Sequence, residues 1–429
     1  MSNQTEDSMQ DAGSLATLEH FEEVDSSEAM QRARPIPRIS IQAFCELADT
    51  AQAMQAAAED RRLSKAHVSV HMGGVTAAAS HYQESPTPNL ILIESSMQRQ
   101  DVLSELDRLA ECCDAGTKVV VVGHYNDVLL YRELLKRGVS EYLVAPVSPL
   151  QLMESISNLY NDPESDPVGN VIAFIGAKGG VGSSTICHNV AWTISDVLQS
   201  DVVIADLDLA FGTTSLDFNQ DPIQGIAEAL SSPERLDEML LDRLLTKCTD
   251  RLSIFAAPVV LDRDYDLSAD ACDMVIDVVR QNVPFVMVDL PHTWTSWTKR
   301  ILLGADQVVI TATPDLANLR NAKNIIDLIK QARTNDGPPK LVVNMTGVQK
   351  RQEIPVKEFC QHLDLQPAAI IEFDPETFSN ASANGRMIEE VNKKAKCAPL
   401  LRSLAMNLAN RQEGITVAKK GAAAGLAPL

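Results

Sequence analysis

The 429-residue sequence predicts an α/β protein built from two doubly wound domains, the second with a mostly parallel sheet. Three observations carry that expectation. Between residues 38 and 160, strand-like and helix-like segments alternate five times. A polar stretch with two prolines, Asn161-Asp-Pro-Glu-Ser-Asp-Pro-Val-Gly169, then interrupts the pattern as a linker does. Beyond it, the apolar run Val171–Ile175 leads into Gly176-Ala-Lys-Gly-Gly-Val-Gly-Ser-Ser-Thr185, followed by helical spacing from Ile186 to Leu198.

Composition narrows the class. The chain holds 37 Lys and Arg against 58 Asp and Glu, a net charge of −21. Residues 1–166 carry 26 acids and 12 bases, so that part has a net −14 and the rest a net −7. Non-specific nucleic-acid binding depends on basic side chains at phosphates, so strong DNA binding is not expected. Eight scattered cysteines without a Cys-x-x-Cys pair fit free thiols in a reducing cytosol. No signal peptide and no membrane-length apolar run is seen.

In chain order, residues 1–35 come first. They contain eight acids before Met30, no Lys or Arg there and few large apolar residues, and so read as a disordered acidic arm. A first domain spans 36–160. Its expected strands are Arg38–Phe44, His67–His71, Asn89–Glu94, Lys118–Val122 and Glu141–Val144. Its expected helices are Leu47–Arg62, Val75–Tyr82, Val102–Cys113, Asp127–Arg137 and Pro149–Tyr160. This order resembles a response-regulator receiver domain, a flavodoxin-like fold. The alignment sets Glu94 at the phosphoacceptor position and Ala145 at the lysine, and it leaves Glu46 alone where an acidic pair belongs. The resemblance therefore implies a pseudo-receiver that docks or dimerises without accepting phosphate.

After the linker at 161–169, a second domain is expected over 170–411, with an Ala- and Gly-rich disordered tail at 412–429. Strand, glycine-rich turn and helix form the context of a phosphate-binding loop. Glycines let successive N–H groups converge on one anion, and the helix N-terminus adds positive partial charge. Gly179, Gly180, Val181, Gly182, Ser183, Ser184 and Thr185 are the candidate nucleotide-binding residues, for ATP with Mg²⁺. The general P-loop pattern puts lysine after the last glycine, and this chain has Ser183 there. Ser184 follows in the place of the Mg²⁺-ligating hydroxyl. The loop resembles the deviant Walker A loop of the ParA/MinD superfamily. That resemblance makes Lys178 the signature lysine, reaching the nucleotide of a partner subunit.

Further along, Val202–Ala205 reads as a strand ending in Asp206-Leu-Asp208, and Phe285–Val288 as one ending in Asp289. Carboxylates at the C-terminal ends of parallel strands face the ligand crevice. By the family resemblance, Asp208 positions the attacking water, Asp206 lies beside the metal and Asp289 holds Mg²⁺ through water. Phe211–Thr214 continues the first switch segment. Helices are expected over 223–245, 269–281, 318–333 and 387–408, and strands over 252–256, 307–313, 340–344 and 368–372. Trp294 and Trp297 fall in a loop. The family resemblance also assigns Asn344 to the adenine edge.

A pseudo-receiver joined to a Lys-Gly-Gly-Val-Gly-Ser-Ser loop, with His188-Asn-Val-Ala-Trp192 and Asp206-Leu-Asp-Leu-Ala-Phe-Gly212, resembles the CpaE/TadZ family. The resemblance implies a cytoplasmic, often polar, localisation and assembly factor for a Tad/Flp pilus machine, acting as an ATP-switched homodimer. It implies partners among the machine components, with peripheral membrane association left open. A ParA-type DNA or cargo segregation ATPase and a nucleotide-binding scaffold without hydrolysis remain the alternatives. Slow ATP turnover is open because Ser183 replaces the lysine.

Overall fold

A computed structural model describes residue 36 and residues 39–410, apart from 84, 115, 161–168, 259, 262–264 and 266. The acidic arm, almost all of the linker and the tail lie outside the described residues. The chain divides into two compact units, one reaching Ser165 and taking in Arg333–Gly337, the other formed by the remainder.

The first unit runs β1 (Ser40–Cys45), α1 (Ala48–Ala58), β2 (His67–Met72), α2 (Gly74–His81), β3 (Leu90–Ser95), α3 (Arg99–Ala110), β4 (Lys118–Gly123), α4 (Val128–Lys136), β5 (Glu141–Val144) and α5 (Pro149–Tyr160). All five strands are parallel, in the order β2-β1-β3-β4-β5. That is the flavodoxin-like order. β3 is buried along its whole length, as a strand covered by helices on both faces must be. Leu90 and Leu92 enter one core cluster and Ile91 and Ile93 the other, because successive side chains leave a strand on opposite faces.

The second unit begins with β6 (Asn170–Gly176), α6 (Ser183–Asp196), β7 (Val202–Asp206), the short α7 (Thr214–Asp217), α8 (Ile226–Ser231) and α9 (Glu238–Leu244). It continues through β8 (Thr246–Lys247), β9 (Leu252–Phe255), α10 (Ala269–Asn282), β10 (Phe285–Asp289), α11 (Ser296–Gly304), β11 (Gln307–Ala312) and α12 (Leu316–Ala332). It closes with β12 (Lys340–Thr346), α13 (Val356–Leu363), β13 (Pro367–Glu372), α14 (Pro375–Ala383), α15 (Ile388–Val391) and α16 (Ala398–Leu408). Among the described residues its eight strands run β13-β12-β11-β6-β10-β7-β9-β8, and only β8 pairs antiparallel. β6 lies near the middle. Val171, Ala173 and Ile175 face one core layer, while Ile172 and Phe174 face the other with α6 and α16.

Three sequence expectations need correction. The helix over 223–245 is two helices, because Pro233 cannot donate in a continuing ladder and the chain turns through Ser232. The helix over 387–408 breaks after Val391 and restarts at Ala398, with Pro399 in the first turn where its missing N–H costs nothing. Trp297 is not in a loop. It sits in α11, buried in the core, while Trp294 before it is exposed.

Candidate functional site

The loop between β6 and α6 is built for close backbone approach. Gly180 and Gly182 have φ of +79° and +86°, a region costly for any residue with a Cβ. Three side chains from elsewhere in the unit brace the loop's carbonyls. Asn344 Nδ2 donates to Val181 O at 2.8 Å and Asn321 Nδ2 to Ala177 O at 2.9 Å. His292 Nδ1 lies 3.0 Å from Gly176 O. Among the described residues, the amides of Lys178, Gly179, Gly180 and Gly182 have no hydrogen-bond partner of ordinary geometry. The Ser183 hydroxyl is buried and also without a partner. Carbonyls tied down and amides left over are what an anion-binding nest requires.

The carboxylates come from neighbouring strands. β10 pairs with β7 in a register that sets Asp289 beside Asp206. Both are buried. Asp206 Oδ1 accepts from Asp208 N at 3.0 Å, and its Oδ2 accepts from Thr214 N at 3.3 Å and Thr214 Oγ1 at 2.7 Å. Burial and the Asp289 charge push Asp206 upward from the usual carboxylate range. Asp289 Oδ1, by contrast, is buried and has no hydrogen-bond partner among the described residues. Asp208 is half-buried and accepts from Phe211 N at 3.2 Å. Of the sequence candidates, the structure thus brings Asp206, Asp208 and Asp289 to the sheet end that also carries the loop.

One residue in this cluster had no assigned role in the sequence. His188 stands four residues after Ser184 on α6, so the two share a helix face. Its ring is fully buried. Nδ1 is 2.8 Å from Asp217 Oδ2, Nε2 is 3.0 Å from Thr214 Oγ1, and Asp289 Oδ2 lies at 3.6 Å. Burial works against its charged form, but the carboxylates of Asp217 and Asp289 outweigh it and lift the imidazole to about 10.

A cavity of about 250 Å³ opens beside the loop. Gly182, Thr185 and Asn344 line it, together with Phe373, Phe378 and Arg386. Apolar lining with a few polar groups suits a flat heterocycle. Asn344 therefore serves two surfaces at once, bracing the loop and lining the cavity. Lys178 is exposed on the first half of the loop. Burial opposes ionisation of Asp315, but hydrogen bonds from Asn318 and Thr313, helped by the Lys178 charge, hold it below the usual range.

The profile of a family described as an AAA domain matches residues 169–342. A crystal structure of the pilus assembly protein CpaE from Caulobacter crescentus is 51% identical to this chain, over 30% of this chain and 98% of that one, with a TM-score of 0.30. The chain belongs to the CpaE family of pilus assembly proteins. The septum site-determining protein MinD of Bacillus subtilis is 24% identical over 235 residues, covering 52% of this chain and 82% of MinD. A ParA family ATPase from Chlorobium tepidum is 21% identical over 56% of this chain and 98% of that one, with a TM-score of 0.51, and shares the fold.

The first unit of this CpaE-family chain carries its own buried polar centre. Glu94, at the end of β3, is fully buried. Its Oε2 accepts from Glu46 N and Leu47 N, both at 2.8 Å. Oε1 accepts from Thr50 Oγ1 at 2.6 Å, and His124 Nε2 lies at 3.1 Å. The carboxylate thus caps the N-terminus of α1 from a neighbouring strand. Glu46 in turn accepts from Ser96 N and Oγ at 2.8 and 2.6 Å. No helix among the described residues is long and apolar enough to cross a membrane.

Proposed function

We propose that this CpaE-family protein is a nucleotide-dependent assembly and localisation factor of a Tad/Flp pilus machine, binding MgATP in its second unit and switching as a dimer. The observation that carries this is the set of unsatisfied polar groups around the glycine loop. Loop amides, Ser183 Oγ and Asp289 Oδ1 all lack partners among the described residues, and all lie at one end of one sheet. Buried polar atoms left unpaired cost free energy and are retained where a ligand satisfies them. The residues fit the implied metal. A P-loop Mg²⁺ takes a hydroxyl, one or two carboxylates, phosphate oxygens and water, and Ser184 and Asp289 would supply the protein's share. When bound, Mg²⁺ would neutralise phosphate charge. The loop amides would cradle the phosphates, the cavity would take the base, and Asp208 would orient water.

The dimer reading rests on exposure. Phe211, Leu216, Trp294 and Leu316 are large, apolar and exposed. They follow β7, β10 and β11, at the sheet end that carries Lys178. Exposed apolar groups rimmed by charge mark interaction surfaces. In a two-fold dimer each Lys178 would reach the opposite site and supply the cation that Ser183 does not. For the first unit we read a receiver-type fold without phosphate chemistry, since every lone-pair direction of Glu94 already has a donor.

Calorimetric titration with MgATP tests the core of the reading. Ser184→Ala and Asp289→Ala are each expected to weaken binding at least about tenfold, the loss of one charge-assisted contact. Both variants binding like wild type would show that the loop does not hold nucleotide.

A further inference from the structure

We propose that His188 is a positioning residue that ties the segment Asp208–Asp217 to the carboxylate pair Asp206 and Asp289, and so passes the state of the nucleotide site to the exposed apolar side chains Phe211 and Leu216. This rests on the nucleotide reading above and adds a route by which the site acts on a partner-facing surface.

Hydrogen-bond bookkeeping defines the link. The Thr214 hydroxyl has one proton, and Asp206 Oδ2 at 2.7 Å takes it. Thr214 Oγ1 is then an acceptor for His188 Nε2–H at 3.0 Å. Asp217 is a carboxylate and accepts from His188 Nδ1–H at 2.8 Å. Each ring nitrogen therefore donates into α7, at its first and last residues. The same ring edge stands 3.6 Å from Asp289 Oδ2, the other oxygen of the carboxylate whose Oδ1 is unpartnered. His188 itself is anchored in α6, whose residues Ile186–Ser195 are all buried. A fixed ring thus meets a short segment with little core of its own. Within α7 only Thr214 is buried. Phe211 and Leu216 on the same segment are 70% and 68% exposed. Asp206 touches the first residue of α7 directly through Thr214, and the His188 ring adds a packed connection from Asp289 to both ends of α7. Sequence order hides this, since His188, Thr214 and Asp289 are far apart in the chain.

The test is hydrogen exchange on the full chain, without nucleotide and with MgATP, for wild type, His188→Ala, His188→Asn and His188→Gln. Asn retains a donor near the Nδ1 position and Gln one near Nε2, so each preserves half of the link and keeps the measurement informative if alanine unfolds α6. Without nucleotide, the variants should exchange roughly 10- to 100-fold faster over 208–217, the equivalent of a lost charge-assisted hydrogen bond, with α6 protection unchanged. With MgATP, wild type should show a change over 208–217 that His188→Asn and His188→Gln reduce while their binding isotherms stay within a few-fold of wild type. Unchanged exchange over 208–217 in folded variants overturns the positioning role. A full nucleotide response in the variants overturns the coupling. A wild-type isotherm showing no MgATP binding overturns the site reading and the coupling together, and is told apart because it appears before any substitution.

Discussion

Gly182→Ala separates a loop shaped by its neighbours from one that is merely flexible. Gly182 sits at φ +86°, where an alanine costs about 1–2 kcal/mol relative to glycine. Its added Cβ would stand 2.7 Å from Asn344 Nδ2, closer than non-bonded contact allows. Asn344 must then move, and its bond to Val181 O contributes about 1 kcal/mol. The sum is about 2–3 kcal/mol of destabilisation in the second unit. Gly179→Ala is the control, since its Cβ meets nothing within 4 Å and its φ lies outside the left-handed region. That change should be neutral or slightly stabilising. All three tryptophans, at 192, 294 and 297, lie in the second unit, so denaturation followed by their fluorescence reports that unit alone. Asn344→Ala alone should cost about 1–2 kcal/mol through the unpaired Val181 carbonyl. The double variant should then cost about 1 kcal/mol less than the sum, because Asn344 can no longer be displaced. MgATP affinity should fall at least about tenfold in Gly182→Ala. Additivity within about 0.5 kcal/mol, or an equal loss in Gly179→Ala, would refute the reasoning.

Lys178→Ala should abolish ATP-promoted dimerisation while leaving the monomer folded. Sedimentation with and without ATP reads this, and a variant that dimerises as tightly as wild type removes the trans-lysine role. Glu94 should gain no mass after acetyl phosphate and show no localised response to beryllofluoride, because its oxygens are already held by four donors. Glu94→Ala should instead destabilise the first unit by about 3 kcal/mol or more, since two amides, a hydroxyl and an imidazole lose their acceptor; thermal unfolding followed by tyrosine absorbance checks it.

The sequence by itself determined what short-range physics decides. Val171–Ile175, the glycine pattern and the helical spacing after Ser184 specify strand, loop and helix locally, so the loop could be placed without a structure. Asp206 and Asp289 were legible as strand-end carboxylates because an apolar run that stops at an acid marks its own end. Pro233 and Pro399 carried the helix breaks, but the apolar spacing around them hid the interruptions. The tertiary structure alone decided which strand ends are neighbours. The register that pairs Asp289 with Asp206 depends on β10 inserting between β6 and β7, far apart in sequence. The same holds for Asn344 against Val181, for Phe373 and Arg386 in the lining of one cavity, and for His188 between Thr214 and Asp217. Glu94 shows the limit most clearly. Its position was readable from the end of a strand, but its role as cap for α1 depends on donors 44–48 residues away. Backbone conformation is written in local side-chain sterics, whereas a buried polar group's partners are set by which elements pack together.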